Sequence, residues 1–142
     1  MTEQQIIKSQ WLGRVYFSRL KVKSLASLKE KDKHECKDFI GSIPENCTPD
    51  MYSKCSKVAA AIAQRSAENY IEALENYNKI RMEVESAIEK ISDYEYQTLL
   101  TSHYIENKTW EVISDEMFYS IRTIKYKHLK ALDALQIKEK PD

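Results

Sequence analysis

Glycine and proline are nearly missing: the 142 residues contain two Gly and three Pro. All-β sandwiches and barrels need many turns, and turns need those residues, so such folds are excluded. Two glycines cannot build the phosphate loop of a P-loop or Rossmann nucleotide site either. No apolar run approaches the roughly 18–20 residues that span a bilayer. Met1 to Gln10 is polar and mixed, without the apolar core of a signal peptide. The expectation is a soluble, cytoplasmic protein with no membrane association. Cys36, Cys47 and Cys55 form no paired motif, which suits a reducing compartment.

Chemistry-bearing clusters are equally thin. His34, Cys36, Cys47 and Cys55 are zinc-competent, but their spacing matches no common zinc pattern. Neither a metal nor a cofactor is expected. His103 and His128 have no nucleophile or orienting carboxylate nearby in the sequence, so no catalytic residue is assigned and no enzyme is expected.

What is present is charge, unevenly spread. Lys and Arg number 22, as do Asp and Glu, for a net charge of zero. Residues 1–40 are basic, with nine Lys/Arg against five Asp/Glu. Residues 92–119 are acidic, with one against six, and residues 120–142 are basic again, with six against three. A folded chain can present such halves on different faces.

The periodicity is helical throughout, so the fold class is all-α. Ile6, Ile7, Trp11, Val15, Leu20, Val22, Leu25 and Leu28 predict a first helix over about 3–33. The stretch 41–50 holds one Gly and two Pro and reads as a loop, with Thr48 capping and Pro49 in the first turn of the next helix. From 51 to 91 there is no Gly or Pro, and Tyr70, Leu74, Tyr77, Arg81, Val84, Ile88 and Ile91 alternate at spacings of 4 and 3. That is a heptad seam broken once, at Arg81. It fits an antiparallel hairpin within the chain or a coiled coil between chains, and the two can coexist. Upstream the seam thins to Ala59, Ala63 and Ser66, which permits close helix contact.

Three shorter helices follow over 92–137. Ser92 with Glu95 reads as a capping box, opening a helix to about Ile105. Thr109 caps Trp110 to Met117, and Ser120 caps a last helix to about Ile137, with Pro141 beyond it. The domain division is therefore 1–91, a long helical hairpin or coiled coil for oligomerisation or partner binding. Residues 92–137 form a compact three-helix unit, and 138–142 a tail.

Two short helices joined by a turn of about three residues make a helix-turn-helix, whose second helix can enter the major groove. Ile124, Ala131, Leu132 and Leu135 form its apolar stripe, expected to pack on Leu99, Leu100, Ile105, Trp110, Ile113 and Met117. Arg122, Lys125, Tyr126, Lys127, His128 and Lys130 are expected on the other side, and from Ser120 to Leu132 no residue is acidic. The Ser120 hydroxyl and the free N–H groups beside it can hold a phosphate.

Tyr104-Ile105-Glu106, Thr109-Trp110-Glu111-Val112-Ile113, Tyr119-Ser120, Arg122-Thr123-Ile124 and Lys130-Ala131-Leu132 resemble the region-4 helix-turn-helix of bacterial sigma-70-type factors. With the long helical N-terminal half, the chain resembles the small phage-encoded late-gene transcriptional regulators of the ArpU/RinA type. The resemblance implies a sequence-specific, double-stranded DNA-binding transcription regulator of phage or prophage origin. It implies Ile121, Arg122, Lys125 and Tyr126 facing the groove, with Ser120, Lys127, His128 and Lys130 nearer the backbone. Thr123, in the same first turn, completes the DNA-binding set. The resemblance implies duplex DNA as partner; the long N-terminal helices are expected to make a homodimer that meets two half-sites, and whether RNA polymerase is also contacted is left open by the sequence. The sequence departs from the pattern in the inter-helix turn, where Phe118 and Tyr119 stand in place of the usual Gly, and at Ser114, where Ala is usual. Two rivals share this layout: a coiled-coil interaction protein that binds RNA polymerase or another protein, and a DNA-packaging recognition subunit resembling a small terminase.

Overall fold

The structure, a computed structural model, describes residues 1–138. Among them all regular structure is helical: α1 (Glu3–Gly41), α2 (Pro49–Glu89), α3 (Tyr94–Leu100), a π-helical turn (Thr101–Ile105), α4 (Trp110–Met117) and α5 (Ile121–Ala134). No helix among these residues is long and apolar enough to cross a membrane. Pro141 and the rest of the expected tail beyond Lys138 lie outside the described residues.

α1 outruns its expected end at 33 because nothing breaks it before Gly41. Its start carries a reciprocal capping box: Gln5 N–H donates to Thr2 Oγ1 (3.2 Å) and Thr2 N–H donates to Gln5 Oε1 (2.8 Å). Thr48 caps α2 as expected, accepting from Met51 N–H at 3.2 Å.

The chain divides into two compact units, Arg19–Tyr77 and Met1–Ser18 with Asn78–Asp142. In Arg19–Tyr77, α1 and α2 run antiparallel. Arg19 Nε donates to Tyr77 Oη (3.4 Å), Lys29 Nζ lies 5.0 Å over the Tyr70 ring, Asp32 accepts from the Ser66 hydroxyl, and Cys36 Sγ donates to Ala59 O (3.1 Å). Partners fall along α2 as they rise along α1, so this pairing lies within one chain. Its centre is small: Ala59, Ser66 and Ala73, seven residues apart, are buried. The expected seam is therefore shifted at two places. Ala73 is enclosed beside half-buried Leu74, and half-buried Ile80 takes the place of Arg81, which is exposed and pairs with Glu85 at 2.7 Å. A small residue lets the helix backbones approach, which the larger Leu74 at the same depth would prevent.

In the other unit, Leu99, Ile113 and Ile124 join α3, α4 and α5 in a core, with Trp110 and Met117 against it. Leu12 and Val15 of α1, Val84 and Ile88 near the end of α2, and Ile91 just beyond it are buried in this unit too. Arg14 meets Glu83 across those two helices at 3.2 Å. Gln5, itself buried, donates from Nε2 to Asp133 Oδ1 (2.9 Å) and Leu129 O (3.4 Å), fastening the first turn of α1 to α5. The compact unit thus takes in both ends of the expected 1–91 segment, and the boundary at 91/92 does not follow the packing.

A further correction concerns α3. Its cap is Asp93, not Ser92: Asp93 Oδ1 accepts from Glu95 N–H (2.9 Å) and Tyr96 N–H (3.4 Å). Gln97 ties α3 back to the end of α2 through Ile91 O at 2.5 Å. Helix α5 ends at Ala134, three residues short of Ile137.

A peptide spanning 92–142 should therefore fail to melt cooperatively in a circular-dichroism scan, whereas the full chain should. Leu12→Ala should cost the full chain about 2–5 kcal/mol in urea denaturation, though Leu12 lies far from α5 in sequence.

Candidate nucleic-acid interface

The turn between α4 and α5 is built without glycine. Phe118 takes the left-handed conformation itself (φ 59°, ψ 37°), the geometry that usually calls for Gly. Ser114 is what closes the turn. Its carbonyl accepts from Phe118 N–H and from Tyr119 N–H (3.2 Å), and its hydroxyl donates to Tyr119 O at 2.5 Å. An alanine there would supply the carbonyl but not the hydroxyl. Thr109 caps α4, accepting from Val112 N–H at 3.3 Å, and Ser120 caps α5, accepting from Thr123 N–H at 3.1 Å, both as expected.

Helix α5 divides along its length. Ile124, Ala131 and Leu132 are fully buried, as is Leu135 just beyond it. Arg122, Lys125, Tyr126 and Lys130 are exposed at spacings of 3, 1 and 4, which places them on one side of the helix. Lys130 Nζ lies 5.5 Å from the centre of the Tyr126 ring, whose residue is 61% exposed. Arg122, Lys125 and Lys130 make no ion pair among the described residues.

The other expected site residues fall into different places. Ile121 is 37% exposed at the start of the helix. Ser120 is exposed, but its hydroxyl is occupied, accepting from Thr123 N–H and donating to Thr123 Oγ1 (2.9 Å). Thr123 is half-buried. The phosphate-holding role expected of the Ser120 hydroxyl is thereby displaced by capping. Lys127 is half-buried and turned to α3, where Nζ meets Glu95 Oε1 at 2.5 Å and lies 4.6 Å from the Tyr119 ring centre. The hydrogen bond to Glu95 holds its ammonium above the ordinary lysine value. Tyr119 Oη donates to the same carboxylate at 3.2 Å. Glu95, which sequence placed in a capping box, instead fixes this corner.

His128 is a plain correction. It is 4% exposed and cannot touch a DNA backbone. Four residues after Ile124 and four before Leu132, it stands on the inward stripe. Its Nε2 shares a 2.7 Å hydrogen bond with Tyr104 Oη, which lies 3.0 Å from Ser9 Oγ of α1. The π-helical turn contributes both Tyr104 and His103. The His103 ring stacks on Trp110 at 3.8 Å, and its Nδ1 bonds Lys108 O at 3.1 Å. Trp110 in turn lies 4.8 Å from the His128 ring. Burial lowers His128 to about 4, with His103 nearby adding to the effect. Burial lowers His103 as well, and raises the Tyr104 phenol. All three rings are uncharged near neutral pH, so they serve as packing with satisfied polar edges.

The acidic stretch before α5 is largely committed elsewhere. Asp93 caps α3, Glu95 holds Lys127, and Lys108 bridges Glu106 (2.8 Å) and Glu116 (2.9 Å). No group of three or more His, Cys, Asp or Glu among the described residues is placed to hold a metal ion. Comparison with known protein families, curated proteins and solved structures finds no match to this chain.

The histidine pocket sets a pH dependence. A group lowered from 6.5 to about 4 on folding stabilises the fold fully above pH 6.5, and that contribution drains away as pH falls toward 4. The full effect is about 3 kcal/mol. Urea midpoints should fall steeply over that window in the wild type and more gently in His128→Gln, which should also be less stable at pH 7.5.

Proposed function

We propose that the chain is a sequence-specific, double-stranded DNA-binding regulator of transcription, of phage or prophage type, with α5 in the major groove. One observation carries the reading. Arg122, Lys125, Tyr126 and Lys130 stand together in solvent on a helix whose opposite side is locked into a core. Cations without acidic partners release counterions from phosphates, and the Arg guanidinium fork and the Lys ammonium both donate to guanine edges. A helix whose inner side is packed against α3 and α4 presents those groups with little ordering cost. Lys125 and Arg122 occupy the first turns of α5, the part that enters a groove in helix-turn-helix docking. Lys127 and His128 take no part. The N–H groups of Ile121 and Arg122, unlike that of Thr123, are left for a phosphate.

The regulator acts as two copies, so that two such helices meet two half-sites. Support comes from Arg19–Tyr77, which encloses only Ala59, Ser66 and Ala73 while Phe39, Val58 and Ile62 remain exposed along one groove. Two long helices that bury so little gain stability from a second copy.

With Arg122, Lys125 and Lys130 of α5 each neutralising one phosphate, the log–log salt slope for duplex binding should be about −3 per copy. Arg122→Ala with Lys125→Ala should flatten it by about two, with the melting temperature unchanged. Binding that ignores salt, or a double variant that binds as the wild type does, overturns the reading and leaves the protein-binding scaffold. Sedimentation equilibrium should return twice the chain mass. A larger ring-sized mass favours the packaging subunit, and Val58→Ser with Ile62→Ser should shift the mass to that of one chain.

A further inference from the structure

Phe118 is a costly choice that the fold does not explain. Its backbone is left-handed, a conformation that Gly or Asn adopts with less strain. Its side chain is 93% exposed, so the ring gains almost no burial in return. The neighbouring aromatic is different: Tyr119 is held by Glu95 and Lys127. Ile121, the first residue of α5, is a second apolar side chain left partly in water at the same end of the helix. Strain combined with exposure at one residue is the pattern of a position shaped by what it contacts.

We propose that the Phe118 ring packs on the 5-methyl group of a thymine at the edge of the site read by α5. This rests on the DNA-binding reading above and adds the feature of the base that is recognised. In the major groove the thymine methyl is the apolar feature of a base-pair edge, the other groups there being hydrogen-bond donors and acceptors. Arg122 and Lys125, next along the helix, supply the attraction that brings an apolar ring against a polyanion. The ring then selects among sequences without adding to the charge count, so its effect is separable from theirs.

The test uses the full chain and a duplex that the wild type selects from a random pool, remade with deoxyuridine for thymidine at each position in turn. Loss of one methyl contact should weaken wild-type binding by about three- to fivefold at one position per half-site. Phe118→Gly should bind the thymidine and deoxyuridine forms of that position equally. Its salt slope should be unchanged and its melting temperature higher, because the left-handed strain is relieved. Three results overturn the proposal while leaving DNA binding intact. These are a wild type indifferent to every deoxyuridine, a Phe118→Gly that still discriminates, and a Phe118→Gly that melts lower, which would show the ring serving the fold. A wild type with no salt-dependent duplex binding overturns the DNA reading itself.

Discussion

The inward stripe of α5 is the constraint on which the rest depends. Ile124, His128, Ala131 and Leu132 are enclosed against α3 and α4, and Gln5 of α1 grips the end of the same helix. Each fully buried Leu or Ile adds roughly 1.5–3 kcal/mol. Once that stripe is fixed, the helix has no freedom to rotate, and Arg122, Lys125, Tyr126 and Lys130 must face water. The exposure of the cations thus follows from burial elsewhere on the helix.

The turn ahead of α5 shows how a local rule can be broken and compensated. Glycine is absent, so Phe118 bears the left-handed backbone, and Ser114 adds a hydroxyl to the carbonyl that already closes the loop. The two residues are parts of one solution: the serine holds the turn in which the phenylalanine takes the strained conformation.

Much of the architecture is legible in the residues. Scarce Gly and Pro, with 3.6-residue periodicity, point to an all-α chain, and the loop before Pro49 and the caps at Thr48, Thr109 and Ser120 follow from local hydrogen-bonding chemistry. What fails to show is whatever depends on distant partners. His128 reads as basic and polar, yet its spacing from Ile124 and Leu132 already puts it inside. Weighing position above residue type would have found it. Lys127 reads as a free cation because nothing local reveals Glu95, 32 positions earlier. Ser92 and Asp93 are both good caps, and the choice is settled by Glu95 being drawn to α5. The membership of Leu12 and Val15 in the α5 unit is hidden because their periodicity is the same whichever helix they pack on.

The clasp between Gln5 and Asp133 joins residues 128 apart, so the unit holding α5 closes over a long stretch of chain. On the ribosome, the first turn of α1 must wait, unclasped, until α5 has emerged. The antiparallel pairing of Arg19–Tyr77, closed around the 42–48 loop, needs no such delay.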